Sequence, residues 1–251
     1  MELNLSGKKA LITGSSRGIG LAIAQLLQKE GCLICLNGRD SKNLEVAMTH
    51  LKGAVSSVGD MTSPDEAKHV VSEAFEKLGK IDILICNVGS GSSVPPGKET
   101  YEEWQRVLAI NFLSTTNTVE AAREVLSVSQ GVIVCISSIC GIEVVAGAPI
   151  TYSVAKAALN AYVKGISRPL GKQGIRINAV APGNVLFEGS VWERKLSDDK
   201  ELVQSMLERD VALARLGAPH DVANLVAYLA SPLANFATGV IWTVDGGQVH
   251  S

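Results

Sequence analysis

Short apolar runs alternate with helix-length amphipathic stretches along the whole chain, and that alternation leaves few folds open. The runs occupy residues 9–13, 33–37, 54–58, 80–86, 130–136, 174–180 and 240–244. A helical stripe follows the first of them, with Ile19, Ile23, Leu26 and Leu27 at i, i+3 and i+4 spacing. Another, of about 25 residues from near Thr100, carries Trp104, Val107, Leu108, Phe112 and Val119. Strands that alternate with helices imply crossover connections, hence an α/β fold with a doubly wound parallel sheet and helices on both faces. Residues 80–86 are apolar almost throughout, as expected of a strand covered on both sides. No linker or low-complexity segment interrupts the pattern, so residues 1–251 read as one domain, long enough to bury a sizeable core.

Composition narrows the function classes. A net charge of −2 and a pI near 6.1 provide no field for nucleic acid or an anionic membrane. The start, Met1 to Lys9, lacks the apolar run of a signal peptide, and no apolar stretch reaches membrane-spanning length. Cys32, Cys35, Cys86, Cys135 and Cys140 are odd in number and sit mostly in apolar runs, so they read as small buried hydrophobes in a reducing cytoplasm. Cys32 and Cys35 form a C-x-x-C, but no second ligand pair accompanies it, and no metal site is expected.

Chemistry concentrates at the ends of the runs. The first ends in Gly14-Ser15-Ser16-Arg17-Gly18-Ile19-Gly20 and enters a helix at once. Strand, glycine turn and helix form the context of a dinucleotide-phosphate site, because glycines admit the backbone to the pyrophosphate and the helix N-terminus supplies N–H groups. The second run ends in Gly38-Arg39-Asp40. A guanidinium there suits a 2′-phosphate, and Arg17 adds a second positive charge, so the side chains favour NADP over NAD. The competing reading makes Asp40 the ribose carboxylate; we favour it as the cap of a helix beginning near Ser41. Asp60 follows the third run and either bonds an adenine amino group or closes a turn; a helix is entered at Ser63-Pro64. Residues 89–97 form a loop. Ser137 and Ser138 stand at the carboxyl end of the fifth run.

Tyr152 and Lys156 lie one turn apart on one helix face. A neighbouring ammonium is expected to favour the phenolate and pull the phenol below its ordinary value near ~10, making it a general acid or base. Thr151 is the expected N-cap of this helix, Ala155, Leu159, Tyr162 and Ile166 its stripe, and Pro169 its stop. Residues 184–217, with Phe187 and Trp192, read as one or two helices off the main sheet that cover the substrate, and residues 219–229 as another helix.

Taken in order, Thr13-Gly14-x-x-x-Gly18-x-Gly20, Asp60, Asn87-Val88-Gly89, Asn111, Ser138, Tyr152-x-x-x-Lys156, Pro182-Gly183 and Asp245-Gly246-Gly247 resemble the short-chain dehydrogenase/reductase family over nearly the whole length. The resemblance implies a seven-stranded Rossmann-type sheet and a Ser–Tyr–Lys site with a supporting Asn. Ser138 would hold the carbonyl oxygen, with Ser137 as its rival. Tyr152 would deliver the proton as hydride arrives from a nicotinamide. Lys156 would lower the Tyr152 pKa and bind the nicotinamide ribose, and Asn111 would kink its helix and hold a water. The implied cofactor contacts are Gly14, Ser16, Arg17, Gly18, Ile19 and Gly20 in the turn, then Arg39, Asp60 and Met61. Asn87, Gly89, Tyr152, Lys156, Pro182, Gly183 and Val185 complete them.

Two departures bear on substrate choice. The family's Asn-Asn-Ala-Gly is Cys86-Asn87-Val88-Gly89 here, and the Thr that often follows Pro-Gly to bond the nicotinamide amide is Phe187. The expected activity is an NADPH-dependent carbonyl reductase, reversible as an alcohol dehydrogenase, on a small ketone such as a sugar or polyol. A 3-oxoacyl thioester reductase ranks lower, since residues 122–129 give little basic surface for an acidic carrier protein. From a different class, a non-catalytic NADP-binding sensor is the alternative that loss of Tyr152 or Lys156 would favour, and both are present. The resemblance also implies a homotetramer, or a homodimer, built on helices near residues 100–126 and 152–168. Residues 141–150 and 184–217 should line the substrate pocket, with Glu143, Phe187 and Trp192 the side chains to watch.

Overall fold

The computed structural model describes residues 2–250; Met1, which opens the polar start, and Ser251 lie outside the described residues. Seven strands among them, β1 (Lys9–Ile12), β2 (Leu33–Gly38), β3 (Val55–Val58), β4 (Ile83–Cys86), β5 (Val132–Ile136), β6 (Arg176–Pro182) and β7 (Ile241–Val244), form one sheet in the order β3-β2-β1-β4-β5-β6-β7. Every pairing is parallel. The chain is thus a single Rossmann-like α/β domain.

The pleat divides the apolar residues between two cores. From β1 and β4, Ala10, Ile12, Ile83 and Ile85 face one side, where they meet Ile23 and Leu27 of α1 (Gly18–Lys29) and Val222 and Val226 of α9 (Pro219–Ala230). Leu11, Leu84 and Cys86 face the other side and meet α3 (Pro64–Leu78), α5 (Ser114–Ser129) and α6 (Ile150–Gly171). β4 and β5 are buried at every position, which is why both read as unbroken apolar runs. Each fully buried Leu, Ile or Val stabilises this arrangement by roughly 1.5–3 kcal/mol.

The local signals resolve in different ways. Asp40 caps α2 (Ser41–Met48), accepting from the N–H groups of Lys42 at 2.8 Å and Asn43 at 3.3 Å. Ser63 caps α3 with Pro64 in the first turn. The long helix expected from near Thr100 is three pieces: α4 (Tyr101–Leu108), a π turn at Ala109–Leu113, and α5. Two expectations for α6 fail. Thr151 is not its cap: Pro149 stands at that position, and the buried Thr151 hydroxyl pairs with Ser93 Oγ at 2.7 Å. Pro169 does not stop it either, and the helix runs on to Gly171. The ring stands one turn after Gly165, a residue without a side chain, on an exposed face near the end, where the lost hydrogen bond leaves a carbonyl open to solvent.

Residues 184–217 supply two helices, α7 (Val191–Asp198) and α8 (Lys200–Asp210), with a small core of their own around Val203, Leu207 and Val211. All five thiols are free. Four are buried, and burial raises Cys32 and Cys35 to about 12, while Cys140 is half-buried. Among the described residues no group of three or more His, Cys, Asp or Glu side chains is arranged to hold a metal ion, and no helix is long and apolar enough to cross a membrane.

Candidate active site

From β1 the chain winds outward to β2, and from β4 it winds the other way to β5, so the carboxyl ends of β1 and β4 flank the topological switch point. A cleft of about 1290 Å³ opens there. Small-ligand pockets commonly span roughly 300–1,000 Å³, so this one has room for a dinucleotide with a substrate beside it.

One end is built on the glycine turn. Gly14 and Gly18 adopt φ of 60° and 57°, which favours glycine. A Cβ on Gly20 would fall 2.5 Å from Asn87 Nδ2 and 2.6 Å from the Gly14 carbonyl oxygen, so this glycine serves the packing under the turn rather than the cleft surface. Arg17 precedes α1 and makes no side-chain cap, which leaves the first-turn N–H groups without a side-chain partner. The turn is braced by two asparagines. Asn87 Nδ2 donates to the carbonyls of Thr13 (3.1 Å) and Gly14 (2.8 Å), and its own N–H donates to Thr13 Oγ1 at 3.0 Å. Asn37, buried at the end of β2, accepts from Gly14 N at 3.4 Å and donates to the Ser57 and Gly59 carbonyls. Asn37 escapes a reading by motif because its partners, Gly14, Ser57 and Gly59, lie far from it in the chain.

At the outer edge of this end, Arg39 is exposed and stands 3.5 Å from Asp60. Asp60 closes an Asx turn, accepting from Thr62 N and Oγ1 at 2.9 Å each. Burial pushes its carboxyl up, but the Thr62 hydrogen bonds and the Arg39 charge outweigh burial and hold it below the ordinary value. Ser16 Oγ would lie 3.7 Å from a Cβ on Gly38. Met61 is buried, with its sulfur accepting from Thr118 Oγ1.

At the other end, Ser138 follows β5 and accepts from Cys140 N at 3.2 Å. Ser137, the alternative, is buried, and its hydroxyl donates to Asn160 Oδ1 at 2.6 Å. Tyr152 and Ser138 both line the cleft. Lys156 is buried beneath, its Nζ donating to the Ile136 carbonyl at 2.8 Å and lying 5.8 Å from the Tyr152 ring centre. Gly89 fits between Asn111 and Lys156, where a Cβ would fall 3.1 Å from Asn111 Oδ1 and 3.2 Å from Lys156 Nζ. Asn111 sits in the π turn, so the distortion expected at this residue is present. Its amide is engaged by the chain: Nδ2 donates to the Ser90 and Val107 carbonyls and Oδ1 accepts from Ser90 N.

The acidified phenol expected from the Tyr–Lys spacing is not what the folded chain produces. Burial pushes Tyr152 up to about 12, against the opposing influence of the Ser138 hydroxyl. Burial likewise depresses Lys156 to about 8. Both groups lose hydration, and the ammonium points at a backbone carbonyl instead of the phenol oxygen, so desolvation decides the sign.

Pro182, Gly183 and Val185 line the cleft from the end of β6, where Gly183 N donates to the Val244 carbonyl at 3.0 Å. Phe187 lies on the glycine turn: a Cβ on Gly18 would fall 2.6 Å from its ring. Trp192 and Glu143 also line the cleft, joined by the tail residues Gln248 and His250, which no motif marks. His250 N donates to Glu143 Oε1 at 3.0 Å, tying the tail to the loop after β5.

Comparison with known proteins agrees with this architecture. The family model described as enoyl-(acyl carrier protein) reductase matches residues 14–249. The chain is 36% identical to isoepoxydon dehydrogenase of Penicillium expansum, over 98% of this chain and 96% of the relative. It is 34% identical to a 3-oxoacyl-(acyl-carrier-protein) reductase of Rickettsia typhi, over 98% and 99%. Among solved structures, L-sorbose reductase from Gluconobacter frateurii, complexed with NADPH and L-sorbose, superposes with a TM-score of 0.93 at 30% identity, covering 100% of both chains. With the sheet order, the glycine turn and the Ser138, Tyr152 and Lys156 cluster in place, the chain belongs to the short-chain dehydrogenase/reductase family of oxidoreductases.

Proposed function

We propose that this chain is an NADPH-dependent carbonyl reductase, reversible as an alcohol dehydrogenase, acting on a small ketone. The observation that carries the reading is one cleft lined by the glycine turn at an uncapped helix N-terminus, by Arg17 and Arg39, and by Ser138 and Tyr152 with Lys156 buried beneath. The residues fit the cofactor. The glycine turn opens α1, whose N-cap residue makes no side-chain cap, as a pyrophosphate site requires, and Arg17 and Arg39 suit a 2′-phosphate. When bound, the reduced nicotinamide supplies the hydride. Ser138 holds the carbonyl oxygen, Tyr152 delivers the proton to it, and Lys156 steadies the ribose and the charge that develops on the phenol. Asn87, Gly89, Pro182, Gly183 and Val185 shape the nicotinamide end.

A phenol with a pKa near 12 is fully protonated at neutral pH, which suits it as the acid in reduction. Alcohol oxidation needs the phenolate, so its rate rises with pH. The polar groups of Glu143, Gln248 and His250 favour a hydroxylated substrate, in keeping with the L-sorbose held by the reductase of similar structure. Residues 184–217 cover the substrate, and the free thiols accord with a cytoplasmic protein.

The test is NADPH oxidation with a panel of ketoses and simple ketones. Tyr152→Phe is expected to lower kcat by about 10²–10⁴ while NADPH still binds. Full activity in Tyr152→Phe sinks the mechanism. Turnover confined to 3-oxoacyl thioesters would move the substrate class toward that of the Rickettsia typhi relative. NADPH binding with no turnover on any carbonyl would favour a sensor.

A further inference from the structure

Ser138 sits inside a five-residue segment, 137–141, and one side chain holds both ends of that segment. Asn160 accepts from Ser137 Oγ at 2.6 Å through its Oδ1. Through its Nδ2 it donates to the Gly141 carbonyl at 2.9 Å. Ser137 and Asn160 are both buried, so the bond between them is closed to bulk water, while the one to Gly141 is part-buried. Between the two anchors the chain makes a single 3₁₀ turn (Ile139–Gly141), with Ser138 extended at its start. The far end of that turn lies directly on α6: a Cβ on Gly141 would fall 2.6 Å from the Lys156 carbonyl carbon.

The spacing on α6 gives the arrangement its meaning. Tyr152, Lys156 and Asn160 follow at i, i+4 and i+8, so they share one face of the helix. The residue that grips the Ser138 segment is therefore on the same rigid element as the Tyr152 phenol, which lines the same cleft as Ser138. We infer that Asn160 is a positioning residue, setting where the Ser138 hydroxyl stands against the Tyr152 phenol. This rests on the reading of Ser138 and Tyr152 given above. Asn160 itself does not reach the cleft. It acts only through the segment it holds, and a displacement of about 1 Å in such a group can cost about 10²-fold in rate.

The experiment is a double-mutant cycle in the full-length protein, with three readouts. Asn160→Ala is expected to lower kcat for ketone reduction by about 10- to 100-fold. The Kd for NADPH, measured by fluorescence titration, should stay within about twofold, since no cofactor contact changes. In a Ser138→Ala background, Asn160→Ala should lower kcat no further, because the group it positions is gone. The third readout needs no turnover: the ¹³C resonance of the oxygen-bearing ring carbon of Tyr152 reports the surroundings of its hydroxyl, Ser138 among them. Asn160→Ala should move this resonance in the same direction as Ser138→Ala does.

Two outcomes overturn the inference: losses in kcat that add fully to those of Ser138→Ala, or a Tyr152 resonance that moves in Ser138→Ala but not in Asn160→Ala. Should Asn160→Ala fail to fold, Ser137→Ala replaces it, since it removes one anchor and leaves the Gly141 bond. It should lower kcat by a smaller factor, about threefold to tenfold, and again add nothing to Ser138→Ala; unchanged kcat in Ser137→Ala overturns the inference. A wild-type protein that turns over no carbonyl would defeat the catalytic reading, and the resonance would still decide whether Asn160 places Ser138 against Tyr152.

Discussion

Lys156 stabilises a site at the expense of the fold around it. Its ammonium is buried, with a single backbone carbonyl as its hydrogen-bond acceptor, and burial depresses it from 10.5 to about 8. One pKa unit corresponds to about 1.4 kcal/mol, so burying the charged form costs the native state roughly 3 kcal/mol. Below pH 8 the lysine is charged in both states and the cost is present in full. As pH rises from 8 to 10.5 the folded chain gives up this proton while the unfolded chain keeps it, and the cost disappears. Lys156→Met should therefore be more stable than the wild type at pH 7, by about 1 kcal/mol after subtracting what it costs to orphan the Ile136 carbonyl. That advantage should vanish, and reverse, as pH approaches 10. Urea unfolding of both proteins at pH 7 and pH 10 measures it. The difference between them isolates Lys156, because the raised Tyr162, Cys32 and Cys35 groups titrate in both. A variant less stable at pH 7 by more than about 2 kcal/mol would show that the ammonium's hydrogen bond outweighs its desolvation.

Two helices depart from regularity, and the departures differ in kind. The π turn between α4 and α5 places Asn111 against Ser90 and fixes the segment that carries Gly89, so the irregularity has a function. Pro169 in α6 has no such reward: it is exposed and two residues from the helix end. An interior proline costs a helix roughly 3 kcal/mol, less near a terminus, and its removal returns some entropy to the unfolded chain. Pro169→Ala should raise stability by about 1 kcal/mol, a thermal shift of a few degrees at this size, with kcat unchanged. A lower melting temperature would mean that the proline acts mainly on the unfolded chain. These elements also mark what sequence makes legible. All seven strands and the glycine turn are local patterns, visible as apolar runs that end in turn residues. The π turn has no local signature that separates it from an α-helix, and the fate of Pro169 is decided by what lies opposite its ring. The pair of Ser137 with Asn160, the contact of Phe187 with Gly18 and the sign of the Tyr152 shift all depend on residues far apart in the chain. The residue types of the site could be read in advance; their electrostatics could not, because burial is a property of the whole fold.

At the scale of the molecule, α6 has a face the domain leaves uncovered. Its inner face packs Ala155, Leu159 and Val163 into the core. On the outer side Val154, Ala157, Ala161 and Gly165 recur every three to four residues and are exposed, and a Cβ added at Gly165 meets nothing within 4 Å. Small side chains along one stripe let a second helix approach closely, and a stripe that meets its own copy across a two-fold axis needs no second complementary surface. Assembly through this face would also hold the helix that carries Tyr152 and Lys156 from behind. We expect light scattering to give about four times the 26.4 kDa of one chain, or twice that mass if only one of the two long-helix faces is used. Ala161→Arg puts a long charged side chain at the centre of the stripe and should shift the protein to a smaller species, with its circular dichroism preserved and NADPH still bound, because the cleft is lined within one chain. A wild type that scatters as a single 26.4 kDa chain, or an Ala161→Arg variant that assembles unchanged, would mean that this face meets only water.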